Sequence, residues 1–264
     1  MNVPIIAEPI FHLGAFPVTN ALINATLLMA ALVGFGTYMR GHIREIPGKL
    51  QNLLELLIET MLGYFDQVTG SREKSHKFLP FVGSLFVLIL LSNWMGLLPG
   101  TGSIGVWQEH HGAVELIPVL RPAASDLNLT VAMALLSVIG SHLVGVTAIG
   151  FFAHLNRFIQ VGSLWKAIVS LKPMKIVVAI VEFFVGLLEV VSEVAKVVSL
   201  SLRLFGNIFA GEVLITVMSS LAAFIIPAPF MLLEVLVGII QASVFAMLTL
   251  VYLTVLSEKP HEAH

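Results

Sequence analysis

The sequence contains no cysteine. That excludes a disulfide framework, a thiolate metal site and a thiol nucleophile. Charge is scarce as well: Asp, Glu, Lys and Arg make up 11% of the 264 residues, against about 25% in a soluble domain. The formal net charge of −2 gives a polyanion such as nucleic acid nothing to bind. The patterns GxxxxGK[ST] and HExxH are both missing, which argues against nucleotide or zinc chemistry in this chain. Neither an internal repeat nor a low-complexity tract is present, and the lack of an inverted repeat counts against a secondary transporter. Residues 1–17 carry no basic stretch ahead of their apolar part, so they do not read as a cleaved signal peptide.

What the chain does have is apolar length. It is 57% hydrophobic, with a mean hydropathy of +0.96. The apolar runs are long enough for helices and too long for barrel strands, so the fold class is an all-α integral membrane protein. About five membrane-spanning helices and one interfacial amphipathic helix are expected, in a single membrane domain over 1–264. The first span covers 18–41. In 48–68, Leu53, Leu56, Leu57 and Met61 share a face opposite Gln51, Glu55 and Glu59, which is the pattern of a helix lying in the interface. The second span covers 78–98 and is followed by an external loop over 99–126. The third covers 127–153. Residues 173–221 read as one helix of roughly 70 Å, against a hydrocarbon core of about 30 Å. It must therefore be strongly tilted or broken, and with the last helix, 230–256, it forms a hairpin. Of the Lys and Arg residues, eleven fall in one set of loops and only Arg121 in the other. The positive-inside rule then places the N-terminus outside and the C-terminus in the cytoplasm.

The informative residues are those that interrupt the apolar helices. Glu182, Glu189, Lys196 and Arg203 are spaced by seven, so each is only about 20° round the helix from the last. Glu193 and Asn207 fall in the same stripe. Glu189, Glu193 and Lys196 can neutralise one another locally. Arg203 differs, because no acid stands three or four residues from it in sequence. An arginine in a bilayer costs between about 3 and more than 10 kcal/mol. It holds its proton permanently, so it acts as a fixed charge and not as a relay. Glu212, nine residues on, faces the opposite side and could meet Glu234 across the hairpin, where two close carboxylates would share a proton. Gln241 and Tyr252 continue the face of Glu234. Orientation sorts these groups into a cytoplasmic set (Glu182, Glu189, Glu193, Lys196, Ser199) and an outer set (Asp126, Glu212, Glu234), with Arg203 between them. A fixed cation at that divide would repel a proton crossing directly.

Three further signals carry less. His142, inside the third span, reads as a histidine bonded to a neighbouring backbone group or serine. Glu109-His110-His111 lacks the rest of a metal site, so it reads as a solvated loop. Asn24-Ala25-Thr26 matches a glycosylation acceptor but lies within a span.

The stretch Ser199-Leu200-Ser201-Leu202-Arg203-Leu204-Phe205-Gly206-Asn207-Ile208-Phe209-Ala210-Gly211-Glu212 resembles subunit a of the rotary F-type ATP synthases. Residues 93–99, 125–130, 241–245 and 251–253 support the resemblance, which covers about residues 12–257. It implies that Arg203 is an essential stator arginine facing the carboxylates of a rotating ring of c subunits. It implies further that Asp126, Asn207, Glu212, Glu234 and Gln241 line an outer half-channel, with Glu189 and Ser199 near a cytoplasmic one. Several bacterial members have His at the position of Glu234. The function expected is that of a proton-translocating stator subunit, with two half-channels offset about the arginine. No bond chemistry, metal or cofactor is expected in this chain. The implied partners are the c-ring, the peripheral-stalk b subunits and the lipid bilayer, with H⁺ or Na⁺ as the only small substrate. A bacterial inner membrane is the expected location, an organellar inner membrane the second. Two rivals are a stand-alone ion-coupled transporter, which would work without a ring, and a purely structural membrane scaffold.

Overall fold

The computed structural model describes residues 8–14, 16–98, 105–110, 113–119, 121–158, 173–221 and 226–258. A short antiparallel hairpin, β1 (Pro9–Leu13) and β2 (Phe16–Thr19), precedes the first long helix. Helix α1 (Asn20–Arg40) starts where the Thr19 side chain accepts a hydrogen bond from the Leu22 amide, a regular N-cap. Most of its surface is exposed and apolar. Its two asparagines, Asn20 and Asn24, are fully buried, together with Ala21 and Leu28.

Helix α2 (Lys49–Thr69) lies within one residue of the expected interfacial helix and stops at Gly70, whose φ is +66°. That left-handed turn favours glycine. The next helix differs from expectation. α3 (Arg72–Met95) begins six residues before the predicted span, so the basic run Arg72–Lys77 is helical and not a loop. Arginine, lysine and glutamate are good helix formers, and Ser71, in extended conformation, is the first place the chain can turn. The joint is tied by Arg72 to Asp66 at 2.8 Å. The Ser75 hydroxyl and the Arg72 guanidinium hold the Asp66 carboxyl below its ordinary value.

The expected external loop holds secondary structure of its own. It contains an antiparallel hairpin, β3 (Gly105–His110) and β4 (Ala113–Pro118), then a 3₁₀ turn at Ala123–Ser125. Helix α4 (Leu127–Ile149) is shorter than the predicted third span, because the chain breaks at Gly150 with φ +90°. A separate short helix, α5 (Phe151–Phe158), follows. The basic residues Lys166 and Lys172 lie outside the described residues.

The long helix is continuous: α6 (Pro173–Leu221) spans 49 residues. α7 (Pro227–Ser257) begins with Pro227 and Pro229 inside its first turn, where a missing N–H costs nothing. Prolines that read in sequence as a turn are thus part of the helix. Among the described residues, α1, α3, α4 and α7 are long and apolar enough to cross a membrane.

Helix α7 sits at the centre. Its buried Ala242, Phe245, Ala246, Leu250 and Leu253 pack with Val82, Leu85 and Ile89 of α3, Met133, Ala134 and Val138 of α4, and Leu200, Leu204 and Ile208 of α6. Lipid is as apolar as leucine, so helix association here relies on close packing and interhelical hydrogen bonds. The buried Ser137 and Thr249 hydroxyls meet at 2.7 Å across α4 and α7, a contact worth about 0.6–2 kcal/mol. The outer surface carries Leu27, Val33, Leu143, Phe184, Leu188, Val191 and Leu232 exposed, a pattern that suits hydrocarbon and not water. The chain is a multi-pass helical membrane protein.

Candidate functional site

Ionisable side chains inside the bundle gather at two levels of α6. At the first, the Arg121 guanidinium grips the Glu212 carboxylate through both oxygens: Nε lies 3.0 Å from Oε1 and 3.2 Å from Oε2, and Nη2 3.1 Å from Oε2. The side chains are 2% and 19% exposed, so this pair is largely desolvated. Arg121 is itself anchored. Asn24 Nδ2 of α1 donates to the Arg121 carbonyl at 2.7 Å and to that of Val119 at 3.0 Å, and Asn20 Nδ2 donates to Pro118 at 3.1 Å. Pro122 then presses on Gly96 so closely that a side chain at 96 would collide with its ring. That close approach accounts for one glycine of the 93–99 stretch. Asn93 and Trp94 of the same stretch donate to the carbonyls of Gly238 and Val235 in α7.

Glu234 reaches the same place from α7. Its carboxylate lies against the bare backbone of Gly211, where a Cβ would collide with it. Glu212, Glu234, Arg121, Asn93 and Thr216 line one cavity of ≈ 130 Å³. A water needs about 10–15 Å³ of such volume, so several fit between the two acids. The structure thus corrects the expectation of a simple Glu212–Glu234 pair. The two carboxylates do converge, but the ionic partner of Glu212 is Arg121. Sequence reasoning had only the oddity of Arg121 as the single basic residue in the outer loops. That signal marked the residue without naming what it binds.

Below this level, Asn207 Nδ2 donates to Gln241 Oε1 at 2.8 Å, joining α6 to α7. Asp126 stands apart from the cavity. It is 9% exposed and caps α4, its Oδ1 accepting from the Asn128 amide at 3.0 Å and side chain at 3.2 Å.

The second level surrounds Glu193. Lys196 Nζ lies 2.6 Å from Glu193 Oε1, and His142 Nε2 lies 3.3 Å from Oε2. His142 Nδ1 is 3.0 Å from His154 Nε2. The Lys196 ammonium sits 4.8 Å over the Tyr252 ring, a cation–π contact. The local neutralisation expected for Glu193 and Lys196 is present. His142 is bonded to a carboxylate and a second imidazole instead of a backbone group. His154 had no sequence signal, since its role depends on α5 folding back at Gly150. Glu189, half-buried, stands one turn before Glu193.

Arg203 lies between the levels, about 15 Å along the axis from Glu193 and about 14 Å from Glu212. It is exposed on the surface of α6. Its Nη2 donates to the Ser199 hydroxyl at 3.4 Å. Among the described residues no carboxylate lies within ion-pair distance of it. No cluster of three metal-binding side chains occurs among the described residues either. The Glu109–His111 side chains lie outside them.

These features define a polytopic membrane protein that holds ionisable groups at two levels of one long helix, with Arg203 between them. The family model of the ATP synthase A chain matches residues 19–254. ATP synthase subunit a of Moorella thermoacetica is 30% identical over 244 residues, 92% of this chain and 93% of its own. That of Mycobacterium ulcerans is 31% identical over 251 residues, 93% and 90% respectively. The chain belongs to the ATP synthase a-subunit family, in the membrane sector of the rotary enzyme.

Proposed function

We infer that this chain is the stator that carries protons to and from a rotating ring of c subunits, through two half-channels offset about Arg203. The observation that carries this reading is Arg203 itself: an exposed guanidinium on an apolar helix, with no carboxylate within ion-pair distance among the described residues. A permanent charge in that setting calls for a counter-charge from another subunit, and a ring carboxylate supplies it.

The outer half-channel comprises Asp126, Asn207, Glu212, Glu234 and Gln241. A proton passing through the cavity neutralises a ring carboxylate, which can then turn into lipid. The inner half-channel comprises Glu189, Glu193 and Ser199. There the returning carboxylate releases its proton, and Arg203 favours the ionised form by proximity. Because Arg203 cannot shed a proton, it separates the two routes and blocks a leak. The drive is about 2.3 kcal/mol per proton per 100 mV. ATP is made elsewhere in the complex. The c-ring and b subunits are the partners. The chain sits in a bacterial inner membrane with its N-terminus outside and its C-terminus in the cytoplasm, an orientation that the distribution of basic residues supports.

The test replaces Arg203 with Ala in the assembled complex. ATP-driven proton pumping should be lost while the complex still assembles, and retained pumping sinks the reading. The purified chain alone should transport nothing.

A further inference from the structure

The cavity between α6 and α7 holds two acids and one guanidinium, and the half-channels as described give the guanidinium no part. Arg121 Nε lies 3.0 Å from Glu212 Oε1 and Nη2 3.1 Å from Oε2, so both oxygens of that acid are engaged. Glu234 lines the same ≈ 130 Å³. Among the described residues Glu234 has no ion-pair partner. The guanidinium is held in place. Its side chain is 2% exposed. Asn24 Nδ2 donates to the carbonyls of Arg121 and Val119 at 2.7 and 3.0 Å, and the Pro122 ring abuts Gly96. Asn24 is fully buried on a largely exposed helix, so α1 is fastened at the point where it fixes this one side chain.

We propose that Arg121 reserves the outer cavity for protons by denying it to metal cations. The proposal rests on the half-channel reading and adds to it a residue from the segment between β4 and α4. Two ionised carboxylates and one guanidinium leave the cavity with a single net negative charge, and the guanidinium never sheds its proton. A proton needs only one carboxylate oxygen or one water to sit on. A metal cation needs several oxygens at once, about six to eight for Ca²⁺, and carboxylates with water are the ligands it favours. Two free acids on neighbouring helices, facing a cavity that admits water, would supply them. Arg121 takes both oxygens of Glu212 instead. Glu234 is then a single acid beside a fixed positive charge, and that charge repels a metal cation. A proton meets the same charge but binds one oxygen of Glu234 and neutralises it, so it needs no second acid. Arg121 acts through Glu212 as a positioning residue, and no bond to it forms or breaks.

The experiment uses the whole complex in liposomes that trap about 1 mM Ca²⁺ on the Glu212 side, away from the catalytic sector. ATP-driven pumping is measured with and without the trapped ion. The wild type should be indifferent to it. Arg121→Gln should pump without Ca²⁺ and lose pumping several-fold with it. Arg121→Lys keeps the charge but not the two-pronged grip, so it should stay indifferent, which a packing role does not explain. Arg121→Gln/Glu234→Gln, with one acid left, should be indifferent too. Should Arg121→Gln fail to assemble, Ca²⁺ present during assembly should restore it, because an ion bound only by the folded state stabilises that state. A wild type blocked by Ca²⁺ overturns the proposal. So does an Arg121→Gln that pumps equally with and without the ion, or one that assembles under neither condition. Arg203→Ala in the same membranes separates the two levels of argument. If it pumps, the half-channel reading itself fails. If it does not pump while Arg121→Gln ignores Ca²⁺, only the role of Arg121 fails.

Discussion

Arg121 and Glu212 are 91 residues apart in sequence, yet the guanidinium of one closes on both carboxylate oxygens of the other. Breaking a buried pair by removing one partner costs about 3–5 kcal/mol, whereas removing both is often near neutral. Arg121→Gln is therefore expected to lower the thermal stability of the complex by an amount in that range. The double variant Arg121→Gln/Glu212→Gln should recover most of it. Melting of the detergent-solubilised complex measures both, and a double variant less stable than the single one would contradict the pairing.

Gly211 is the floor on which the Glu234 carboxylate rests. Gly211→Ala forces that carboxylate away or shifts α7 from α6, with an overpacking cost of about 1–3 kcal/mol. Proton uptake on the Glu212 side should fall. Combining it with Glu234→Ala should restore packing without restoring uptake. Stability and pumping, read together, separate the two effects.

Asp126 caps α4, and the half-channel reading also gives it a place on the outer route. Asparagine caps about as well as aspartate, while alanine loses about 1 kcal/mol. Asp126→Asn should keep the stability of the wild type and slow conduction. Asp126→Ala should lose both. Full conduction in Asp126→Asn would leave this residue with capping alone.

Asp66, in α2 outside the spans, has its carboxyl held below the ordinary value by Ser75 and Arg72. A group depressed in the folded state stabilises above its unfolded pKa and loses that contribution as pH falls through its folded one. The α2–α3 joint should accordingly loosen at acid pH. Faster amide exchange around Gly70 should report it. Asp66→Asn should show the loosened joint already at neutral pH, with less further change on acidification. Arg72 and Asp66 are both partly exposed, so the effect should shrink at high salt.

Much of the fold was legible because a membrane asks little of a sequence beyond length and polarity. Helix α6 was expected over 173–221 and occupies Pro173–Leu221, since no proline interrupts it after Pro173. The amphipathic pattern of α2 placed it within a residue. The ends of α3 and α4 were harder. A basic run looks like a loop until helix propensity carries α3 through it. A single glycine looks harmless until its positive φ stops α4. The hairpin β3–β4 was read as loop, because short strands in a polar segment leave little signal.

The sequence by itself determined that this is a helical membrane protein of the a-subunit family, and that Arg203 has no acid at helical spacing. Those facts are local, fixed by residue type and by the 3.6-residue turn. Tertiary structure alone decided which charges on distant segments meet. Arg121 binds Glu212 because α1 clamps the segment after β4, Glu234 lies on Gly211 because α7 crosses α6 there, and His154 meets His142 because the chain reverses at Gly150. Contacts between distant segments depend on how helices cross and on where small residues let them approach, and no spacing along one strand of sequence encodes that.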